Sequence, residues 1–515
     1  VDGYLLSKSK NTLMIFPPGK ANSKFTPLPP SITAIGEYAF YDCKKLENVT
    51  VPNKVMSIGK RAFGLCDNLN TITFLCDQII TPMNINQEQN EESFDVDKPG
   101  QKKMGKIKIN VRKDKLSAYQ SDPFYQKFAS INSSFQAGTE EYIAVSENAV
   151  DLLSTTRNDH TFILPTEISN GSKKYEVSLI GDYAFENAPN SIKEVVVKQN
   201  VKYIGAKAFV KNNSKIQSVF FIESEPTKEM LGTTRFELDA TGKNYNEFDP
   251  DTKIYVKKSA YDKYKAEWTK TVYNDTKKRE GLSPFNFTSQ IDYKIKDTQI
   301  ETKYVTFARE FDVDFGDCAS NGGVNVAAFV YGRLLNGSGD YGGNTPQHIR
   351  MKSIDQHGGV SDSYTYVPAN TGVLLKILGS KKSTGGLLYY TIGEKDNVTY
   401  HITDNVMNGI EVKSKKVDAS TTSPIYVLQK GVFKKATAPI LNFPVHKAYL
   451  TLPSGAAPSK ELKPCFDDDE TTNIENVTTS EEMKANDVYY NLNGQRVSNP
   501  QKGVYVHNGR KVLVK

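Results

Sequence analysis

Cysteine is scarce in this chain: five in 515 residues, none in a C-x-x-C pair. That density excludes a disulfide scaffold, and the missing pair leaves zinc ribbons and thioredoxin-type redox chemistry without support. Tryptophan occurs once, as Trp268. No run approaches the ~20 consecutive apolar residues that a membrane-spanning helix needs. Charge of one sign is also lacking. Sixty-five Lys+Arg against 59 Asp+Glu leave +6, without a basic stripe, which argues against nucleic acid as a partner. G-x-x-x-x-G-K-[ST], G-x-S-x-G and H-E-x-x-H are absent, so no phosphate loop, nucleophile elbow or zincin helix is expected. The chain starts at Val1 without a leader, which fits a cytosolic protein or an exported one whose leader has been removed.

What is present is a repeat. "AIGEYAFYDCKKLENVTV" from Ala34 returns as "SIGKRAFGLCDNLNTITF", offset by 23 residues. Ile35, Gly36, Ala39, Phe40, Cys43, Leu46 and Val49 match Ile58, Gly59, Ala62, Phe63, Cys66, Leu69 and Ile72. A fixed period of this size, ending in a short apolar alternation, marks a leucine-rich stack whose units cannot bury their apolar faces alone. Val49 and Val51 should point inward from a short strand, and Gly36 and Gly59 should occupy tight turns or close backbone approaches. The unit recurs at Ile180-Gly181…Ala184-Phe185 and Ile204-Gly205…Ala208-Phe209, with a period of 24.

A larger duplication lies above the repeat. Ile35 to Ile180, Val111 to Val256 and Tyr119 to Tyr264 are all separated by 145 residues. Each module would consist of a leader, two clear repeats, a polar insertion, then a strand and a short helix. The closing helix carries Leu116, Tyr119 and Phe128 in the first copy, and Tyr261, Tyr264 and Trp268 on one face in the second. These closing units would cap the stacks.

The pattern I-x-x-I-G-x-x-A-F-x-x-C-x-x-L-x-x-V-x-V-P resembles the BspA-type leucine-rich repeats of bacterial surface proteins. The leader "GYLLSKSKNTLMIFPPGK" and the unit "INVRKDKLSAYQ" are also similar to that family, so the resemblance covers roughly Val1 to Gly281. The second module departs from it: it lacks a counterpart of Leu28-Pro29, and Ala188 and Asn212 replace the cysteine layer. The resemblance implies a secreted or surface-exposed protein, often an adhesin, without catalytic residues.

From about Asn286 the repeats give way to alternating runs such as "KYVTFAREFDVDF", "TGVLLKIL" and "KAYLTLP", which predict an antiparallel β-sandwich or barrel. "YVPANTGVLLKI" and "IYVLQKGVFKK" resemble a β-rich segment common near the ends of Bacteroidetes-type surface proteins. After a polar linker, the tail carries hairpin signals at Asn493-Gly494 and Asn508-Gly509, and is similar to the C-terminal sorting segments of the same bacteria.

Candidate chemistry is thin. Asp467, Asp468, Asp469 and Glu470 offer oxygens, but consecutive acids cannot all face one calcium ion, and a solvated linker is the simpler reading. Asp312 and Asp314 share a strand face, where a wet sheet surface is a simpler account than acid–base work. His348 and His357 do not match a metal-site spacing, and Gly337, Gly339, Gly342 and Gly343 suit a long loop. Cys43 and Cys66 stack in adjacent coils, within reach of a disulfide, although burial as free thiols is the favoured reading.

The expected architecture is an α/β leucine-rich-repeat solenoid of two modules (residues 1–137 and 138–285), an antiparallel sandwich-like domain (286–465), and a polar linker with a small β tail (466–515). No cofactor or metal is expected. The expected function is a non-enzymatic bacterial protein, either secreted or held at the outer-membrane cell surface, that binds an extracellular protein or glycan. A spacer that displays the C-terminal domain is the second reading, and an enzyme within 286–465 the third. The expected binding face is the exposed strand row: Asn48, Thr50, Thr71 and Thr73 in module one, and Glu194, Val196, Ser218 and Phe220 in module two. The apolar pair Val196 and Phe220 fits either a partner site or inter-module packing.

Overall fold

A computed structural model describes residues 4–9, 11–18, 28–29, 32–80, 103–198, 201–223, 226, 248–249, 251–268, 285–294, 302–318, 325–335, 347–354, 365–378, 387–394, 405–420, 422–454, 460–466, 475–477, 489–491, 495–497, 503–507 and 510–514. The chain divides into two compact units, Val1–Gln290 and Ile291–Lys515.

In the first unit, successive repeats pair in parallel. Asn48–Val51, Thr71–Phe74, Lys108–Val111 and Ser130–Ser133 form one four-stranded sheet, with Val49, Ile72, Ile109 and Ile131 in one register row. Strict parallel register places equivalent side chains above one another, so the apolar positions of each coil make one continuous core. Val49, Val51, Ile72, Phe74, Ile109 and Val111 all point into it. Along the back, Phe16, Phe40 and Phe63 stack with centroids 4.9 and 4.8 Å apart. The glycines of the Ile-Gly pairs sit where coils touch. A Cβ on Gly59 would lie 2.5 Å from the Glu37 nitrogen, and one on Gly205 would lie 2.4 Å from that of Asp182. The residue before each Ala-Phe pair is left-handed although none is glycine: Tyr38, Arg61, Tyr183 and Lys207 have φ between 49° and 58°.

The second module repeats the plan around its own core. Thr161–Leu164, Glu194–Val197, Ser218–Phe221, Lys253–Val256 and Asn286–Thr288 pair in parallel. Phe185, Phe209 and Phe248 stack at 5.5 and 4.8 Å. The helix Tyr261–Trp268 closes the end, burying Tyr264 and Trp268 against Phe221 and Phe248. In the first copy the helix stops at Ser121, so Tyr119 lies on it but Phe128 follows in an extended residue after a 3-10 turn. Leu164-Pro165 ends a strand as Val51-Pro52 does. The module therefore does carry a Leu-Pro pair, hidden in the sequence because strands Glu167–Asn170 and Lys173–Ile180 intervene before Gly181. A third sheet introduces this module, with Glu140–Ala144 antiparallel to Ala149–Thr155, and Ala149–Thr155 parallel to Lys173–Ile180.

In the second unit, a nine-stranded sheet runs in the order Tyr304–Phe307, Val373–Leu378, Asn325–Leu335, Gln347–Ser353, Glu461–Cys465, Val432–Lys435, Ile425–Gln429, Lys447–Thr451, Met407–Ile410. Its neighbours are antiparallel except Gln347–Ser353 with Glu461–Cys465, which run parallel. A four-stranded sheet is built from Ile291–Lys294, Leu387–Ile392, Val313–Asp314 and Tyr366–Val367. At the C-terminus, Gly503–His507 pairs antiparallel with Arg510–Val514, His507 opposite Arg510. No helix among the described residues is long and apolar enough to cross a membrane.

Candidate functional site

The outward residues of the first module's strands are polar, as alternation demands once Val49 and Val51 face the core. Two register rows result: Asn48, Thr71, Lys108 and Ser130, and beside them Thr50, Thr73, Asn110 and Asn132. These rows are not the open surface that the repeat alone suggests. Asn48, Thr50 and Thr71 each retain 7% exposure and Thr73 none. The start of module two covers Thr73 and Asn110, while Lys108 and Asn132 stay exposed. The Thr73 hydroxyl and the Asn110 amide both donate to the Ala144 carbonyl at 2.8 Å, and Asn132 donates to Asn110 at 3.1 Å. An apolar seam of Ile143, Val145, Leu179 and Tyr203, with Leu75, Ala149 and Leu153 against it, runs beside these bonds.

The expected row in module two is corrected as well. Val196 and Phe220 are buried, at 0% and 1% exposure, because these strands carry apolar side chains on both faces and Phe220 stacks on Tyr255 at 4.8 Å. Glu194 and Ser218 are half-buried, and Glu194 accepts a hydrogen bond from the Thr161 hydroxyl at 3.2 Å.

Where the two modules diverge, a cleft of about 790 Å³ opens. Asn48, Thr71, Lys108 and Ser130 line one wall, so two of the eight expected residues belong to it. The opposite wall comes from Asn148, Asn170, Tyr175, Glu176 and Ser178. Sequence reading missed this second wall, because the sheet that supplies it is not part of the repeat. The Ser178 hydroxyl, fully buried at the cleft, has no hydrogen-bond partner. Phe135 and Tyr175 place tilted rings 5.7 Å apart at one end, with the Lys173 ammonium 5.0 Å from the Tyr175 ring centre. A second cleft of about 690 Å³, lined by Asn53, Asp77, Arg112 and Glu141, lies toward the C-terminal ends of the same strands.

Between the clefts sits a small cavity of about 20 Å³, bordered by Thr50, Asp151, Asp182, Tyr203 and apolar side chains. Asp151 is buried and its Oδ1 has no partner. Burial pushes its pKa well above the carboxylate range, and the neighbouring Asp182 charge adds to the shift. Asp182 accepts the Ala206 N–H at 2.8 Å, yet burial still raises it to about 6.

The other sequence candidates are structural or outside the described residues. Asp312 accepts bonds from the Tyr366 hydroxyl and the Ala369 N–H, and Asp314 accepts from Thr365 and the Gly316 N–H. All five cysteines are free thiols. Cys66 donates to the Phe40 carbonyl, one coil back, at 3.0 Å. Asp467 to Glu470, Gly337 to Gly343, His357 and Asn493-Gly494 lie outside the described residues.

Residues 20–91 and 154–231 match the model of the BspA type leucine rich repeat region, in six copies. The repeats of this chain are BspA-type leucine-rich repeats. They account for strands Asn48–Val51 and Thr71–Phe74 of the first stack and Thr161–Leu164, Glu194–Val197 and Ser218–Phe221 of the second. No curated protein matches the chain. Solved structures similar to it include the following two. One is the pneumococcal vaccine antigen PcpA, at 14% identity over 52% of this chain and 44% of its own, with a TM-score of 0.14. The other is a leucine rich cell surface protein of Faecalibacterium prausnitzii, at 17% identity over 46% and 74%, with a TM-score of 0.17. The chain thus spans less than half of the first, and at these scores neither superposition bears on the function.

Proposed function

We propose that this chain is an exported, surface-displayed binding protein without enzymatic activity, and that it takes an extracellular protein or glycan in the cleft between its two BspA-type modules. The observation that carries the reading is the cleft itself. It is concave, its two walls come from different modules, and polar side chains converge on it from both, as ligand sites require. The BspA-type repeats support display outside the cell, since leucine-rich stacks of this type resemble those of bacterial surface proteins. The strand rows outside the cleft are a poorer choice, because the seam covers Thr73 and packing covers Val196 and Phe220.

The test is binding of the full chain to immobilised matrix proteins and mucin-type glycoproteins, compared with Lys108→Trp. Lys108 is exposed at the middle of the cleft wall, so a bulky ring there obstructs the cleft without entering the core. Saturable binding that weakens about tenfold in the variant supports the reading. Binding that survives Lys108→Trp unchanged moves the function elsewhere, first to the Ile291–Lys515 unit.

A further inference from the structure

The chemistry of the cleft narrows the ligand class; this step rests on the cleft being the binding site. One wall is a polar ladder of an amide, two hydroxyls and an ammonium. Asn48, Thr71, Lys108 and Ser130 stand in one parallel register row, spaced at the ~4.8 Å of neighbouring strands. Such a row presents donors and acceptors at a constant pitch along a line. Amides and hydroxyls each both donate and accept, which suits a partner whose own groups do both.

Three ligand classes fit poorly. A polyanion needs a dominant positive field, but the lining holds Lys106, Lys108, Lys173 and Lys202 against Glu47, Glu147 and Glu176, and Lys202 is paired with Glu176 at 3.4 Å. A folded protein partner is anchored by aromatic or aliphatic side chains in dry pockets, and this lining is polar apart from one end. A small apolar ligand would meet the same obstacle. One feature suits a sugar instead. The buried Ser178 hydroxyl at the opposite wall lacks a partner, which a ligand hydroxyl can supply. Phe135 and Tyr175 only close one end, since Tyr175 belongs to the module core and carries the Lys173 ammonium over its ring.

We propose that the inter-module cleft binds an extended, hydroxyl-rich glycan of low charge, laid along the wall that carries Lys108 and Ser130.

Affinity electrophoresis of the full chain through gels containing soluble glucan, mannan, galactan or a sulfated polysaccharide tests this, with Lys108→Trp and Lys173→Trp as exposed plugs from opposite walls. Circular dichroism and thermal melting check that both variants fold. The expected result is retardation by at least one neutral polysaccharide, insensitive to salt, and weakened about tenfold or more in both variants. Retardation by the sulfated polymer alone, with a steep salt dependence, would overturn the proposal. So would silence toward every polysaccharide. Binding to an enzymatically deglycosylated glycoprotein that both plugs abolish would overturn the glycan assignment while leaving the cleft as the site. Neutral-polysaccharide binding unaffected by either plug would overturn both.

Discussion

Thr73 and Ala144, 71 positions apart, are joined by a 2.8 Å hydrogen bond from hydroxyl to carbonyl, and Asn110 donates to the same oxygen from the next coil. The two modules therefore close on each other through polar side chains of a repeat strand, beside the apolar seam of Ile143, Val145, Leu179 and Tyr203. A carbonyl held by two donors tolerates the loss of one. Thr73→Val is nearly isosteric and should cost about 1 kcal/mol, whereas adding Asn110→Leu leaves the oxygen buried without a donor and should cost more than the two single changes summed. Urea denaturation of the full chain and its variants measures the non-additivity. Simple additivity would mean that Ala144 is not jointly held.

The Ile-Gly pairs make a second prediction. A methyl group on Gly59 or Gly205 would collide with the backbone of the preceding coil, which cannot give way as a side-chain tip can. Gly59→Ala and Gly205→Ala should each cost about 3 kcal/mol, the upper part of the overpacking range. Gly171 is the control. It has open space around its Cβ position and φ of +62°, so Gly171→Ala should cost only about 1 kcal/mol, from backbone conformation alone. Equal losses at the three positions would refute the close-approach account.

Much of this was legible in the sequence because it is local and periodic. Ile35, Phe40, Leu46 and Val49 recur at fixed spacing, and the structure buries all four. Four things left no such trace. The cover over Thr73 comes from Ala144, and a contact at that separation has no spacing signal. Leu164-Pro165 was hidden by the pair of strands between it and Gly181. The left-handed residues Tyr38, Arg61, Tyr183 and Lys207 are not turn-forming types, so only the stacked coils impose that conformation. The second wall of the cleft was invisible for a related reason, since Asn148, Tyr175 and Ser178 belong to a sheet that the repeat does not encode.

The cysteines give a third prediction. Cys43, Cys66, Cys76 and Cys318 are buried and Cys465 is partly exposed. Burial, with the Asp42 charge beside it, pushes the Cys43 thiol up to about 11, and burial pushes Cys76 higher still. A thiol that is neither ionised nor accessible does not react. Titration of the native chain with a chromogenic disulfide reagent should therefore show one prompt thiol, lost in Cys465→Ser, with the rest appearing on addition of denaturant. Reducing agent should leave the melting temperature unchanged. A drop in melting temperature under reduction would indicate a bridge in the Cys43–Cys66 layer.

The aspartates at the module seam set the sign of a pH dependence. Asp151 and Asp182 both have pKa values raised by burial, Asp151 further by the Asp182 charge, while Lys54 pulls Asp182 back. A carboxyl group raised in the folded state binds more protons there than in the unfolded chain. Its penalty is absent below the ordinary carboxylate pKa of about 4 and grows as pH rises through the folded value, so this pair makes the fold less stable with rising pH. For Asp182 the window runs from 3.8 to about 6, and Asp151 extends the loss above it. Asp182→Asn keeps an oxygen for the Ala206 N–H but removes one of the two charges. The variant should melt at a higher temperature than the parent near neutral pH, with the difference shrinking toward about pH 4. Thermal melts across that range decide it: a variant whose advantage stays constant with pH would show that the pair does not titrate in the fold, and one destabilised throughout would show that the Asp182 carboxylate stabilises the seam.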